Sequence, residues 1–531
     1  MKRFNVTGTC VGHKHYMVDI SAKLDKIEKL VEEEQYFTIN RARQYGKTTT
    51  LFQLDNRLKE RGAYFCAKIS FEDAGKNAFG SEKAFCEMFL AKVSAALDAS
   101  NVPKRYANKW LGKGLFAQKV TSFKNLSEHI TKMCEGKKVV LTIDEVDKST
   151  SNELFLHFLG MLRAKYLLRQ EGKDYTFHSV ILAGVMDIKN LKIKLINDGL
   201  HSPLVEEGRI INSPWNIAAN FDVNMSFVPD EISTMLDDYE ASNKSGMDIN
   251  EVSKELFWHT DGYPFLVSRI CKCIDEELDR NWTKKGINSA VQKILKERSV
   301  LFDDFSKNLE NIKELNNFLY ELLILGRHKS FNLSNITVDL AHTYAYIKES
   351  ERGTAVIGNR MFESFLAGYY VSKNENSGSS RRVSGAIYQD VIQNGSFNMA
   401  ACLIKFAEHY KEIYTPREEK FFERQGRLLF LSFLAPLLNG QGFFHIETEL
   451  TDQRRMDLVV NFEKQQFIIE LKLWRGEANR EKAFEQLLGY IVSKNFKEGY
   501  MLTFDFRKRK THVSEPQWIE KGGYRIYSVI V

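Results

Sequence analysis

The sequence predicts an α/β protein. Its first part reads as a parallel sheet covered by helices, its middle as a helical region with a small two-stranded wing, and its end as a second, compact α/β domain. Three observations carry this. Continuous apolar strand-like runs alternate with helix-spaced segments between residues 15 and 225, the pattern of a sheet buried on both faces. From about Pro229 the strand signal fades and helical spacing dominates through residue 372. Residues Lys373 to Arg382, beginning Lys373-Asn374-Glu375-Asn376-Ser377-Gly378, are free of apolar side chains, and 373–384 read as a linker before residues 385–531.

The elements follow in order. Tyr36-Phe37-Thr38-Ile39-Asn40 is aromatic and β-branched, hence a strand, and Leu51, Leu54 and Leu58 mark a helix after the loop that follows it. Further strands are expected at Ala63–Phe71, Val139–Ile143 and Ser179–Gly184, with helices at Glu82–Ala96 and Asn152–Leu168 between them. Asp230–Tyr239, Ile249–His259 and Pro264–Leu278 read as helices, the first two with acidic residues early, where a helix dipole favours them. Helical spacing continues from Leu315, two short strands are expected at Tyr344–Lys348 and Thr354–Ile357, and Met361–Tyr370 closes this winged-helix-like part. After the linker come helical stretches at Ala386–Glu412 and Arg417–Pro436. Strands are then expected at Phe443–Leu450, Met456–Asn461 and Gln466–Leu473, a helix at Glu481–Ser493, and strands at Gly499–Phe506 and Tyr524–Val531.

Composition narrows the class. The 531 residues are 43% hydrophobic and 27% charged, a balance that excludes a disordered or collagen-like chain. Lys and Arg exceed Asp and Glu by 75 to 69, too small an excess to predict a nucleic-acid partner by itself. The seven cysteines match no disulfide framework or zinc ribbon, and Cys271 and Cys273 are read as buried packing residues. No secretory signal is read at the N-terminus. The most membrane-like stretch, Leu428–Leu438, falls short of the ~20 residues a bilayer requires, so a cytoplasmic protein without a membrane partner is expected.

Between the first strand and its helix lies Arg41-Ala42-Arg43-Gln44-Tyr45-Gly46-Lys47-Thr48, which keeps the end of the GxxxxGK[ST] pattern but has Arg41 at its first glycine. Backbone N–H groups around Gly46 would cradle phosphates at a helix N-terminus, Lys47 would meet the β- and γ-phosphates, and Thr48 would coordinate Mg²⁺. A later apolar strand ends at Asp144-Glu145, where Asp144 suits Mg²⁺ held through water and Glu145 suits orienting an attacking water. The plainer reading makes Lys47 a solvated lysine and Asp144 a helix cap; the strand, loop and helix context weighs against it.

These residues resemble the degenerate Walker A of prokaryotic AAA-like ATPases that use an Arg-x-x-Gly-Lys loop. Ile181–Val185 with Asp187, Ser213-Pro214-Trp215-Asn216 and Asp261-Gly262-Tyr263-Pro264-Phe265-Leu266 complete the likeness over roughly residues 15–370. The resemblance implies a P-loop NTPase sheet at 15–225 with a helical, winged-helix-like lid at 226–372. It implies ATP held by Arg43, Gly46, Lys47, Thr48, Thr49 and Asp144, with Thr48 and Asp144 on Mg²⁺. An arginine finger is not assignable; Arg43 and Arg163 are candidates only.

The C-terminal domain carries a second constellation. Glu470 and Lys472 stand two apart on one strand and so share a face, and a hairpin across Phe462–Gln465 would bring Asp457 beside Glu470. Two carboxylates could hold a hard divalent ion, with Lys472 positioning water and stabilising phosphate charge. The plain alternative is a Glu470–Lys472 ion pair in an ordinary domain. The arrangement resembles the PD-(D/E)XK nuclease superfamily, and Gln486-Leu487-Leu488-Gly489-Tyr490 matches the QxxxY element of its RecB-like branch, with Gln486 and Tyr490 on one helix face. That likeness implies a restriction-endonuclease-like fold, with Asp457, Glu470, Lys472, Gln486 and Tyr490 catalytic. Glu423 joins Asp457 and Glu470 as an added acidic ligand for Mg²⁺ or Mn²⁺.

Residues 385–531 are nearly neutral, with 21 basic and 19 acidic residues, so a nucleic-acid track would be local. Arg507-Lys508-Arg509-Lys510 and Arg454-Arg455 are the patches, and such runs are more often a solvated face. The expectation is an ATPase whose nucleotide state regulates a metal-dependent nuclease. Its partner is nucleic acid, DNA before RNA, and a role in antiphage defence is implied by the domain pairing. A homo-oligomer is compatible with the resemblance, and no protein partner is read. The rival is a signalling or scaffold ATPase whose C-terminal domain binds nucleic acid or protein without cutting.

Overall fold

Residues of the inner strands of the first sheet are buried throughout and those of its edge strands for the greater part, which is why the strands read as apolar-rich runs. In the computed structural model Tyr36–Asn40 (β1), Phe65–Ser70 (β2), Val139–Asp144 (β3) and Ser179–Gly184 (β4) pair in the order β1-β4-β3-β2, every pair parallel. The structure describes residues 2–98, 120–146, 153–185, 215–297, 299–325, 327–376, 385–393, 395–413, 419–438, 442–447, 457–463, 465–474, 476–493, 496–505 and 515–531. These form two compact units. One comprises Met1–Lys244, Gly262–Arg269 and Thr343–Ala345; the other comprises Ser245–Asp261, Ile270–His342 and Tyr346–Val531.

In the first unit, Ser21–Glu32 (α1) packs against β1, and Lys47–Glu60 (α2) packs against β2. Glu82–Asp98 (α3), Phe123–Cys134 (α4) and Glu153–Gln170 (α5) cover the opposite face. There Phe71, Phe85, Phe89, Phe155 and Phe158 pack on Ala67, Ile69, Leu141 and Ile143 of β2 and β3. Beyond β1, a parallel bridge from Phe37 to Ala219 sets a further extended segment at the sheet edge, and Trp215 Nε1 donates to Thr38 Oγ1 at 3.0 Å. Pro229–Asn243 (α6) begins with Pro at its first turn and Glu231 accepting from the Val228 N–H.

The second unit begins with helices Ile249–Thr260 (α7), Pro264–Glu277 (α8, from Ile270 onward), Lys284–Lys296 (α9), Val300–Asn311 (α10), Lys313–Leu323 (α11) and Ile336–Thr343 (α12). The two short strands expected here pair antiparallel, the first starting three residues later than read, as Ile347–Glu349 (β5) with Ala355–Ile357 (β6), followed by Arg360–Asn376 (α13). The first four residues of the expected linker, Lys373–Asn376, continue α13, and 377–384 lie outside the described residues.

Sequence reasoning expected one helical stretch over Ala386–Glu412. Instead Gly385–Val391 (α14) leads into the short antiparallel pair Ile392–Gln393 (β7) and Ser396–Phe397 (β8) before Met399–Ile413 (α15). Gly395, at φ +73°, takes the left-handed backbone conformation that turns the chain between them. Glu419–Leu438 (α16) carries Pro436 within its last turn.

Gly442–Glu447 (β9), Asp457–Phe462 (β10), Gln465–Leu473 (β11), Glu498–Phe504 (β12), Gln517–Lys521 (β13) and Tyr524–Ile530 (β14) form a six-stranded sheet in the order β13-β14-β12-β11-β10-β9. The β9-β10-β11 meander is antiparallel, and β11-β12 and β12-β14 are parallel. Glu477–Ser493 (α17) covers one face, its Ala483, Leu487 and Ile491 packing on Val459, Ile468 and Met501. Helix α15 covers the other face, where Phe406 and Tyr410 meet Phe504. Helix α13 packs on α16 and β9, and Ser364 Oγ donates to Phe444 O at 3.2 Å. Strand β13 is an addition to the expected set. Four of its five residues are exposed, so it lacks the apolar signature that marked the others.

Candidate functional site

At the carboxyl end of β1 the chain turns through Arg41–Gly46 into α2, and two residues make the turn: Gln44 at φ +58° and Gly46 at φ +77°. Arg41 is not among the residues with positive φ, so the position where the motif calls for its first glycine needs none. Its guanidinium turns back instead, donating from Nη1 to Asn40 O at 2.8 Å and from Nη2 to Val223 O at 2.9 Å, over the Phe221 ring. Arg41 thus clips the loop to 221–223.

Gly46 caps α2, and Lys47 is its first residue. The first N–H groups of any helix lack intrahelical acceptors, so this end is built to meet an anion. Lys47 is buried, and its Nζ donates at 2.9 Å to both Arg41 O and Ala42 O, which holds the ammonium inside the loop. Thr48 is half-buried, and the Thr49 hydroxyl accepts the Cys10 N–H at 3.1 Å, so the N-terminal segment reaches the start of α2. Arg43 is exposed on the loop, and its carbonyl accepts the Tyr263 hydroxyl at 2.6 Å.

Tyr263 belongs to the Asp261–Leu266 turn that the sequence singled out. Its ring lies edge-on to Tyr45 with centroids 4.6 Å apart, and Tyr45 in turn hydrogen-bonds Ser226 Oγ at 2.6 Å. Gly262 makes the approach feasible. It sits at φ +70°, its carbonyl accepts the Phe227 N–H at 2.8 Å, and a Cβ there would stand 1.8 Å from Phe227 O. Sequence reasoning found the turn but not its hydrogen bond to the phosphate loop, a contact across 220 residues.

Asp144 and Glu145 close β3. Asp144 is 4% exposed, and its Oδ1 accepts the Glu145 N–H at 3.0 Å, while Glu145 is held at φ +56°. Lys68, on β2, lies near Asp144; burial lowers its pKa, against the pull of the Asp144 and Asp55 carboxylates. Because β4 separates β1 from β3, the carboxyl ends of β1 and β3 flank the end of β4 at the sheet's change of strand order, where ligands of open α/β sheets bind. Asp187, Ser213 and Pro214 lie outside the described residues, and Arg163 lies within α5.

A model of the AAA-like domain matches residues 12–322. The chain belongs to the AAA-like domain family. Its N-terminal part is therefore an AAA-like P-loop ATPase domain, and the binding of ATP follows from that membership together with the loop geometry. Among solved structures, a Walker-type ATPase of Pyrococcus abyssi is similar at 14% identity over 68% of this chain and 99% of that one, with a TM-score of 0.44. The ORC2 protein of Aeropyrum pernix, in ADPNP–ADP complexes, is 10% identical over 68% of this chain and 97% of that one, with a TM-score of 0.34. Cdc6p from Pyrobaculum aerophilum is 14% identical over 67% and 94%, with a TM-score of 0.30. No curated protein matches the chain. Among the described residues, no helix is long and apolar enough to cross a membrane.

The second constellation lies beyond the AAA-like domain. The β10-β11 hairpin turns at Glu463, φ +50°, and sets Asp457 opposite Glu470 in register. Glu470 is 1% exposed, and Lys472 Nζ is 2.6 Å from its Oε1. Both share the face of β11 that carries Ile468, and Ile468 packs on α17. On α17, Tyr490 is buried in that same cluster and Gln486 is half-buried. For Asp457 and Glu423 the structure gives the backbone, in β10 and α16; their side chains lie outside the described residues, as do Arg454-Arg455 and Arg507–Lys510. Among the described residues, no group of three or more His, Cys, Asp or Glu side chains is placed to hold a metal ion.

The sequence passed over two hydroxyls on this same face. Thr503, in register with Lys472, and Ser528, in register with Met501, are each 3% exposed, and neither side-chain oxygen has a hydrogen-bond partner among the described residues. Their signal was a polar residue inside an apolar strand, easily read as an ordinary β-former.

Proposed function

We propose that this protein is an ATP-hydrolysing enzyme whose C-terminal domain cleaves nucleic-acid phosphodiesters with a divalent metal, DNA before RNA, under control of the nucleotide state of the AAA-like domain. The observation that supports it best is the register of β10 on β11, which stands Asp457 opposite Glu470 with Lys472 two residues along the same strand. A buried carboxylate oxygen on Glu470 suits a hard cation such as Mg²⁺ or Mn²⁺, and Asp457 and Glu470 are the residues that would hold it. Such a cation, when bound, supplies charge neutralisation at the scissile phosphate. Lys472 brings a positive charge to the same place and orients the phosphodiester oxygen. Gln486 and Tyr490 line the neighbouring helix, with Tyr490 fixing α17 on the sheet.

In the AAA-like domain, Gly46 and the first turn of α2 receive the phosphates. Lys47 exchanges the Arg41 and Ala42 carbonyls for phosphate oxygens. Thr48 and Asp144 supply hard oxygens suited to Mg²⁺, and Glu145, next to the buried Asp144, orients the attacking water.

One observation favours the scaffold reading: Lys472 already pairs with Glu470 inside the domain, as a purely structural ion pair would. A cleavage assay on single- and double-stranded DNA and RNA with Mg²⁺ or Mn²⁺, with and without ATP, separates the two. Cutting that responds to ATP and vanishes in Glu470→Ala and Lys472→Ala supports the nuclease; binding that survives both substitutions, with no cutting, supports the scaffold. For the defence role, restored phage plating in an Asp457→Ala strain is the expected result, and no change across a broad phage panel counts against it.

A further inference from the structure

A hydroxyl buried in a strand core without a partner calls for an explanation, since valine has the same shape and needs none. Thr503 is such a residue: 3% exposed, with Oγ1 bonded to nothing among the described residues. The parallel pairing of β11 and β12 sets it directly across from Lys472, on the same face of the sheet. Lys472 meanwhile spends its ammonium on Glu470 Oε1, 2.6 Å away.

We propose that Thr503 is a positioning residue that receives the Lys472 ammonium when a divalent cation occupies Glu470; this rests on the nuclease reading above. A carboxylate oxygen that binds a dication cannot keep an ammonium at hydrogen-bond distance without setting two like charges side by side. The ammonium therefore has to move, and its four-carbon stem lets it. Thr503 Oγ1 is the acceptor that the ladder holds across from it, whereas Ser528 is one strand farther away, paired with Met501. In its second position Lys472 remains on the face where a phosphodiester would lie, and its charge is no longer neutralised by Glu470. Metal binding and the release of Lys472 for substrate become one event.

The test is Mn²⁺ titration of the full-length, nucleotide-free protein, followed calorimetrically, beside thermal melting without metal. Four proteins are compared: wild type, Thr503→Val, Thr503→Ser and Glu470→Gln. The difference between wild type and Glu470→Gln assigns the binding that belongs to Glu470. The expected result is about five- to tenfold weaker Mn²⁺ binding at that site in Thr503→Val and binding within about twofold of wild type in Thr503→Ser. Metal-free Thr503→Val should melt at or above the wild-type temperature, because a partnerless hydroxyl has been removed. Unchanged affinity in Thr503→Val overturns the proposal while leaving the nuclease reading in place. Identical Mn²⁺ binding by wild type and Glu470→Gln overturns both. If valine packs badly, Thr503→Ala provides the same comparison without added bulk.

Discussion

Gly262 and Lys47 show how much can rest on one position. With φ at +70° and the Phe227 carbonyl 1.8 Å from where a Cβ would stand, Gly262→Ala must displace backbone. We expect a loss of about 3 kcal/mol or more in chemical denaturation, with weaker nucleotide binding because Tyr263 no longer braces the Arg43 carbonyl. Lys47→Ala should lower the nucleotide-free melting temperature, since the Arg41 and Ala42 carbonyls lose their donor, and abolish ATP binding, measured by fluorescent-nucleotide titration; retained binding would remove Lys47 from the site. Both residues were legible in the sequence, Lys47 by its place after Gly46 and Gly262 by the turn it opens. Arg41 was legible only as a departure from the glycine pattern. Its clip to the Val223 carbonyl depends on a segment more than 180 residues away, which no local pattern encodes.

At the scale of elements, α4 and α5 are joined by a buried charge. Lys165, on α5, is 2% exposed, and its Nζ donates to Asp174 Oδ2 at 2.6 Å and to Thr131 Oγ1 of α4 at 2.7 Å. Burial pushes the Asp174 carboxyl up, but the bonds from Lys165, Thr131 and the Tyr175 N–H outweigh it and hold its pKa below the usual value. A carboxylate whose folded pKa is lowered adds stability that is complete above the ordinary value near 4 and is lost as the pH falls through the lower folded value. Lys165→Met should therefore cost about 3 kcal/mol at pH 7 in denaturant melts, with the gap to wild type closing as the pH falls below the ordinary carboxylate range and Asp174 takes up its proton. A gap that stays constant with pH would show that packing, not the charge pair, sets the loss. Elements of this sheet were easy to read because burial on both faces leaves runs as rich in apolar and β-branched residues as Val139–Ile143. Strand β13 was not, since its residues are mostly exposed and its pairing comes from β14. The break in the stretch after Gly385 was hidden because helix-spaced apolar residues continue across the Gly395 turn.

For the whole molecule, the reading to test is coupling between the two chemistries. Lys47→Ala should remove the ATP response of cleavage while Glu470→Ala removes cleavage and leaves ATP hydrolysis within about twofold of wild type, assayed on the same preparations. Loss of ATPase activity in Glu470→Ala would show that the units do not act as assigned. Because residues 385–531 are nearly neutral, any nucleic-acid binding has to come from local basic runs, and the slope of log affinity against log salt should report how many phosphates those runs contact.

The strand order of the first sheet also sets a timetable. Strand β1 carries the phosphate loop, yet its ladder partner is β4, so Tyr36 waits for Val180 to be made before it can pair. At about 5–20 residues per second on a ribosome, that interval is on the order of ten seconds. During it, β1 has no neighbour of its own, while β2 and β3 can join earlier. Nascent chains stalled before β4 should therefore carry the loop sequence without its shape, and acquire nucleotide binding only once the β4 segment has left the exit tunnel.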